Sequence, residues 1–107
     1  MALTECYRRR PGLPWREEQD AARDALAALA AGRDASGEGT LLVVERGRIT
    51  ELNILGGEIW KLCDGTRDVG AIVAELLPRF EVERDELARD VVEFLAALAA
   101  RGWVVPA

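Results

Sequence analysis

Two apolar stripes at helical spacing dominate the second half of the chain and restrict what it can fold into. In residues 68–80 and again in residues 84–101, apolar side chains recur at intervals of three and four. The members are Val69, Ile72, Val73, Leu76, Leu77 and Phe80, then Leu87, Val91, Phe94, Leu95 and Leu98. We predict two short helices, with Asp68 as the N-cap of the first and Gly102 as the stop of the second. Pro78 implies a kink in the first helix or an early end near Leu77. Only three residues separate them, so they should pack against each other.

A β-hairpin is predicted before these helices. Residues 40–45 (TLLVVE) and 48–54 (RITELNI) are rich in branched apolar side chains, and Arg46-Gly47 joins them. A further helix is predicted over residues 55–63, ended by Asp64-Gly65. The order of elements predicts an α+β fold, namely a winged-helix-like three-helix bundle with a small antiparallel β-sheet of about three strands.

The N-terminal region has a different composition. Pro11 and Pro14 make the opening stretch extended or irregular. An alanine-rich segment at residues 17–31 predicts an extra N-terminal helix that lies on the surface, and residues 103–105 could form a short strand or plug. We therefore expect an N-terminal extension over residues 1–39 and a folded domain over residues 40–105.

The composition excludes several kinds of chemistry. The 107 residues contain no histidine, which removes imidazole bases, Ser-His-Asp and Cys-His nucleophile pairs, and histidine metal sites. Cys6 and Cys63 are too few for a structural zinc site and too far apart in sequence for a CxxC motif. We expect no catalytic residue, no cofactor and no metal, so the chain should be a binding module rather than an enzyme.

The charge argues against nucleic acid as a partner. The formal net charge is −5, and the predicted helix at 68–80 carries a single basic residue, Arg79, near its end. A winged-helix DNA-binding transcription regulator remains the alternative, because the predicted architecture is related. No apolar run approaches the ~20 residues of a membrane span, and no signal peptide is visible at the start. We expect a cytoplasmic protein with no membrane partner.

Several short motifs in the second half of the chain resemble the PqqD family. They are Leu52-Asn53 at the end of a predicted strand, L-C-D-G at residues 62–65, and Asp68-Val69 with Ile72-Val73. The pattern D-V-x-x-F-L-x-x-L-x-x-R-G-W follows at residues 90–103. The resemblance covers roughly residues 40–105, in the order and with the spacing of the family.

The resemblance implies a recognition element for ribosomally made, later modified peptides. Such a protein binds the leader of a precursor peptide as an added strand and presents it to a modifying enzyme, often a radical SAM/SPASM enzyme. The leader would occupy a groove beside the last helix. The candidate peptide-binding residues are therefore Arg48, Ile49, Thr50, Glu51, Leu52 and Asn53 of the second hairpin strand, with Arg84, Leu87, Asp90, Val91 and Phe94 of the last helix.

This chain departs from the family pattern at two places. The family's first strand is expected near residues 13–16, so the helix at 17–31 is an insertion before the second strand. The family commonly has a Ser or Thr cap after this strand, whereas Ile54-Leu55-Gly56-Gly57 follows Asn53 here, and we expect Asn53 to cap the helix instead. Trp60 lies one position off its apolar stripe, so we expect partial exposure and consider it the first aromatic candidate for enzyme docking.

Overall fold

Four α-helices and six β-strands make up the computed structural model, which describes residues Met1–Ala107. The strands are β1 (Cys6–Arg9), β2 (Trp15–Glu17), β3 (Leu41–Glu45), β4 (Arg48–Leu52), β5 (Asp64–Asp68) and β6 (Val104–Pro106). The helices are α1 (Gln19–Ala30), α2 (Ile54–Leu62), α3 (Val69–Leu76) and α4 (Arg84–Ala100). The α+β class is confirmed. None of the helices has both the length and the apolar character needed to cross a lipid bilayer.

The strands form two antiparallel sheets in two compact units. Unit 1 contains Met1–Pro11 and Ile59–Ala107, and its strands form sheet 1 in the order β5-β1-β6. Unit 2 contains Gly12–Glu58, and its strands form sheet 2 in the order β2-β3-β4. The prediction of a single sheet of about three strands therefore accounts for only half of the strands.

The predicted hairpin is present in unit 2 as β3 and β4. Arg46 and Gly47 connect the strands with φ angles of 51° and 78°. Positive φ at both central positions defines a type I′ turn, whose twist matches that of the flanking strands. Glu45 is opposite Arg48, and the pairing continues without interruption to Leu41 opposite Leu52.

The start of α2 depends on residues of unit 2. The Gly56 N–H donates to Asn53 Oδ1 at 2.9 Å, which confirms Asn53 as the cap. Gly57 lies against β3, and a Cβ placed there would be 3.3 Å from both the Leu41 Cβ and the Thr40 Oγ1. The missing side chain therefore allows a close approach within this chain.

Helices α3 and α4 of unit 1 pack against each other through the predicted stripes. Asp68 accepts a hydrogen bond from the Ala71 N–H at 2.7 Å, which confirms it as the N-cap. The helix ends at Leu76, which confirms the early end predicted near Leu77, and a 3-10 turn over Leu77–Arg79 follows. Pro78 explains the early end, because it lacks the N–H that an α-helix needs and its ring clashes with the preceding turn.

Trp60 is completely buried, so the predicted partial exposure is wrong. Its ring meets the ring of Trp103 edge-on, with centroids 6.2 Å apart and planes 76° apart. Helical spacing places Trp60 off the apolar stripe of α2, but the C-terminal segment brings Trp103 against it. A buried indole of this kind belongs to the core of unit 1, so docking of an enzyme on Trp60 has no structural support.

Strands β1 and β5 were not expected from the sequence. Helix α2 ends at Leu62, so the predicted stop at Asp64-Gly65 is confirmed, and Gly65 has a φ of 85°. The same two residues also begin β5, which pairs with β1 through Cys6 opposite Asp68 and Arg8 opposite Asp64. On the other side of β1, Tyr7 is opposite Pro106, so residues 104–106 form the short strand that was one of two expectations for this tail. A β-strand with the sequence DGTRD has poor intrinsic propensity, and its pairing partner stabilises it.

Candidate functional site

Each sheet has two edge strands, and the edges differ in how much unpaired backbone they offer. Free N–H and C=O groups on a sheet edge are a template for another strand. Both edges of sheet 1 are blunted. On β5, the Thr66 N–H donates to Asp64 Oδ1 at 3.0 Å, and the register against β1 is irregular. On β6, Pro106 has no N–H to donate.

The N–H group that Pro106 lacks would have pointed to the outer side of β6, away from β1. The Arg10 N–H donates to the Trp103 C=O, and the Ala107 N–H donates to the Cys6 C=O. Because hydrogen-bonded and non-hydrogen-bonded pairs alternate in an antiparallel ladder, the backbone groups of residues 104 and 106 face away from β1. A strand that approached β6 would therefore meet a proline at one of two outward positions.

The Asp64 carboxylate that blunts β5 is itself well satisfied. It accepts hydrogen bonds from the Thr66 hydroxyl at 2.6 Å and from the Thr66 N–H, and Arg67 lies 2.9 Å away. These interactions, the hydroxyl bond foremost, hold the pKa of the Asp64 carboxyl below its ordinary value. The carboxylate thus remains charged and bound to the Thr66 N–H at neutral pH.

In sheet 2, β2 and β4 are the edge strands. Strand β2 has only three residues, and α1 begins after one further residue, Glu18. A very short edge strand offers little backbone for pairing. Strand β4 has five residues, with no proline among them. It is therefore the longest unprotected edge in the chain.

The type I′ turn determines which β4 groups face outward. The residues that flank a two-residue turn, here Glu45 and Arg48, form a hydrogen-bonded pair. Pairs alternate along the ladder, so Thr50 bonds to β3, whereas the N–H and C=O groups of Ile49 and Glu51 face away from it. The bond from the Val44 N–H to the Pro14 C=O at 2.9 Å agrees, since it directs Val44 away from its opposite residue, Ile49.

The six β4 candidates divide between two faces. Leu52 is buried with Leu41 and Val43 on one face, where Thr50 is half-buried. Ile49 is 65 % exposed and shares the other face, called here the open face, with Glu51. Arg48 is exposed beside the turn, and the Asn53 side chain caps α2.

A shallow depression on the open face was not expected from the sequence. Its volume is about 300 Å³, and its lining is mainly apolar. The lining residues are Pro14, Trp15, Arg16, Leu42, Val44 and Ile49. Alternation in β3 was the available signal, because Leu42 and Val44 must point opposite to Leu41 and Val43.

The five α4 candidates lie in unit 1 and differ in accessibility. Leu87 and Val91 are buried in the core, with 1 % and 0 % exposure. Asp90 and Phe94 are half-buried, and Arg84 is exposed. Arg84 also borders a second, more open depression of about 730 Å³, whose lining residues are Leu77, Pro78, Phe80, Glu81, Val82, Glu83, Arg84 and Glu86. On α4, accessible side chains at predicted positions are thus Arg84, Asp90 and Phe94.

Both thiols are engaged within unit 1. Burial raises the pKa of the Cys63 thiol to about 12, so its nucleophilic thiolate is almost absent at neutral pH. The Cys6 Sγ lies 3.3 Å from the Gly65 C=O and 3.2 Å from the Arg67 C=O. No group of three or more His, Cys, Asp or Glu side chains is positioned to hold a metal ion.

Comparison with known proteins identifies relatives of this chain. The family model described as coenzyme PQQ synthesis protein D (PqqD) matches residues 38–104. A PqqA binding protein of Rhodopseudomonas palustris (strain TIE-1) is 48 % identical over 50 residues, which are 47 % of this chain and 49 % of that protein. The PqqA binding protein of Pseudomonas aeruginosa (strain UCBPP-PA14) is 45 % identical over 56 residues, covering 52 % and 60 %.

A third relative gives a longer match. The PqqA binding protein of Klebsiella pneumoniae (strain 342) is 37 % identical over 71 residues, which are 66 % of this chain and 75 % of that protein. The chain spans about half the length of the Rhodopseudomonas relatives that it matches. No solved structure is significantly similar to it. Because the family model covers more than half of the 107 residues, including both strands of the hairpin, this chain belongs to the PqqD family.

Proposed function

We propose that this chain binds a segment of a ribosomally made precursor peptide as an additional strand beside β4 and presents it to a modifying enzyme. The free edge of β4 is the observation that carries the proposal. Main-chain pairing along such an edge supplies affinity, and pockets for alternate side chains supply specificity. Relatives that carry the name PqqA binding protein support a precursor peptide as the ligand.

The outward groups of Ile49 and Glu51 define what the peptide would contact. Each residue offers one N–H and one C=O, so the peptide can form up to four main-chain hydrogen bonds there. A complex of micromolar affinity corresponds to about −8 kcal/mol. Four such bonds with two or three buried apolar side chains are sufficient for an affinity of that order.

The chemistry of peptide modification is assigned to a partner enzyme. This chain has no histidine, and its Cys63 thiol is buried with a pKa of about 12. A chain of this kind serves as a non-catalytic peptide-binding chaperone. The partner that we propose is a radical SAM/SPASM enzyme, because the family resemblance implies one.

The DNA-binding alternative has no comparable support. Helix α3 is the second of the three helices after the hairpin, and its only charged residue is the acidic Glu75. A recognition helix needs basic side chains for phosphate contacts. Tight binding of duplex DNA in a low-salt gel-shift assay would reverse this order of preference.

Titration calorimetry with a synthetic precursor peptide, made from a short open reading frame that flanks this gene, tests the proposal. We expect micromolar or tighter binding by the wild-type chain. Ile49→Pro removes an outward N–H but no hairpin bond, and it should weaken binding at least tenfold, or by about 1.4 kcal/mol. Ile49→Ala retains the N–H and is the matched control, so it should weaken binding less. Circular dichroism must show that both variants are folded.

N-methylation of the peptide distinguishes strand addition from other binding modes. In a β-ladder, alternate residues of the peptide direct their N–H groups toward β4. Methylation of a backbone nitrogen whose N–H faces β4 should therefore abolish binding. Methylation of a nitrogen whose N–H faces away from β4 should be tolerated. Equal tolerance at all positions would overturn strand addition, and failure of the wild-type chain to bind the peptide would overturn peptide binding itself.

The role of α4 is tested separately. Phe94→Asp changes a half-buried aromatic side chain, and it should weaken peptide binding if the last helix takes part as the family resemblance implies. Leu87→Asp is unsuitable for this purpose, since Leu87 is buried and a charge there would unfold unit 1. Unchanged affinity in a folded Phe94→Asp variant would exclude this part of α4 from the site.

Delivery to the enzyme has its own test. With the proposed radical SAM partner enzyme, the rate of precursor modification should rise when the wild-type chain is added and stay low with Ile49→Pro. The same rate with and without the chain would show that it does not present the peptide.

A further inference from the structure

We infer that the open face of sheet 2 selects the added strand by two side chains, a basic residue opposite Glu51 and an apolar residue opposite Ile49, with one residue between them. The inference rests on the proposed function, because it describes the peptide that β4 would receive. It specifies the class of peptide sequence rather than the existence of binding.

The geometry of the ladder gives the spacing. Residues directly opposite each other on paired strands point to the same face, with Cβ atoms about 4.5–5.5 Å apart. Ile49 and Glu51 both point to the open face, since they are opposite Val44 and Leu42 respectively. The two peptide residues opposite them must therefore also point to the open face, and they must be two positions apart in the peptide.

Glu51 provides an uncompensated negative charge at this edge. It is exposed, and its carboxylate takes part in no hydrogen bond or ion pair. The carboxylate lies over Gly39, whose missing side chain leaves room for it, and it would turn from there to meet an added strand. The nearest cation across the open face is Arg16, which is opposite Leu42 in the next row of the sheet. Arg16 is already paired with Glu18, at 2.7 Å. A basic residue opposite Glu51 would thus form a favourable cross-strand pair, whereas an acidic one would be repelled.

Ile49 provides an apolar surface at the same edge. Its 65 % exposure is the largest among the exposed large hydrophobic side chains of the chain. This surface continues across Val44 into the depression of about 300 Å³, a volume at the small end for ligand sites. An apolar side chain opposite Ile49 would cover it and border the depression.

The size of the open face favours a peptide over a second copy of this chain. Three strands of at most five residues present about 250 Å² on one face. A stable protein–protein interface needs about 800 Å² from each partner. The surface is also continuous with the free edge of β4, so the side chains of the strand added there are its natural occupants.

The order of the two residues reports the strand direction. In an antiparallel complex the basic residue precedes the apolar one by two positions. In a parallel complex the basic residue follows it by two positions. The pair spacing is the same in both cases, so the inference does not depend on direction.

A charge-swap titration tests the basic residue. Each residue of the precursor peptide is replaced in turn by Lys and by Glu, and calorimetry measures binding to the wild-type chain, Glu51→Lys and Asp24→Lys. We expect one position at which the wild-type chain prefers Lys over Glu about fivefold and Glu51→Lys reverses the preference. Asp24→Lys changes the net charge equally but lies at an exposed position of α1, outside sheet 2, so it should retain the wild-type preference.

A second pair of variants tests the apolar residue. Ile49→Thr keeps the outward N–H and a branched side chain, and it should weaken binding of the wild-type peptide. The same substitution should have little effect when the peptide residue two positions from the charge-swap site is alanine. Peptide binding without any reversal of charge preference would overturn the inference while leaving the proposed function intact. Absence of peptide binding to any of these chains would overturn the proposed function as well.

Discussion

Sheets 1 and 2 have the same number of strands but treat their edges differently. In sheet 1, Pro106 leaves β6 without one outward N–H, and on β5 the Asp64 carboxylate accepts a hydrogen bond from the Thr66 N–H. In sheet 2, the outward groups of Ile49 and Glu51 on β4 have no such protection. Native proteins protect their sheet edges because unpaired edges promote aggregation. An edge left open in a chain that protects its other sheet is therefore the best candidate for a binding surface.

The central strands differ as well. In unit 1, the Arg9 side chain of β1 donates to the C=O groups of Trp60 and Lys61 at 2.9 and 2.8 Å. These carbonyls lie at the C-terminal end of α2, where positive charge is favoured, and the Trp60 C=O also accepts the Cys63 N–H at 3.2 Å. In unit 2, the central β3 presents Leu42 and Val44 on the open face. Sheet 1 thus serves the core of its unit, whereas one face of sheet 2 remains accessible.

The largest effect is expected from Thr50→Pro, which would break the hairpin of sheet 2. The Thr50 N–H faces β3, so proline removes a ladder bond in a strand interior, and we expect a loss of about 3 kcal/mol in the free energy of unfolding. Urea denaturation measures it. Ile49→Pro is the neighbouring control and should lose much less, because its N–H faces outward. Equal losses would mean that the outward assignment is wrong.

The next largest effect is expected from Arg9→Ala, which would weaken sheet 1. It removes hydrogen bonds from a charged donor to two helix-end carbonyls, so we expect a loss of about 2 kcal/mol in thermal or urea unfolding. Arg8→Ala, at an exposed neighbouring position, should change stability by less than about 0.5 kcal/mol. Similar stabilities of the two variants would contradict the role assigned to the Arg9 contacts.

Gly47→Ala should have a smaller effect, at the turn that sets the β4 register. Gly47 has a φ of 78°, and a Cβ there is strained even though no atom lies nearby. We expect a loss of about 1 kcal/mol in the free energy of unfolding, together with weaker peptide binding. Gly37→Ala has open space and no positive φ, so it should be nearly neutral in both measurements. Unaltered peptide affinity in Gly47→Ala would show that the edge tolerates changes in the turn.

The smallest effect is expected from Asp64→Ala, which would open the β5 edge of sheet 1. The folded state lowers the pKa of Asp64, so its stabilising contribution is present above the ordinary value near 3.8 and is lost as the pH falls through the lowered pKa. Wild type should therefore be slightly more stable than the variant at pH 7, and the two should converge below pH 3.8. Thermal unfolding at both pH values measures this. A difference that persists in acid would rule out the carboxylate as its cause.

Patterns that act over a few residues were predictable. The helices, the hairpin and the caps Asn53 and Asp68 follow from apolar spacing and from side chains that satisfy the first N–H groups of a helix. The end of α3 was predictable as well, because Pro78 gives the signal directly. The exposure of Trp60 was not, since Trp103 covers it from 43 positions further along the chain.

By itself, the sequence determined the helices after the hairpin, the α+β class and a candidate edge strand near residues 48–53. Only the tertiary structure decided that β1 and β5 exist, that sheet 1 is blunted at both edges, and that Ile49 and Glu51 are the outward residues of β4. The physical reason is that strand pairing joins segments as distant as Cys6 and Asp68. Which backbone groups remain unpaired depends on those distant partners, and the spacing of apolar residues within one segment does not identify them.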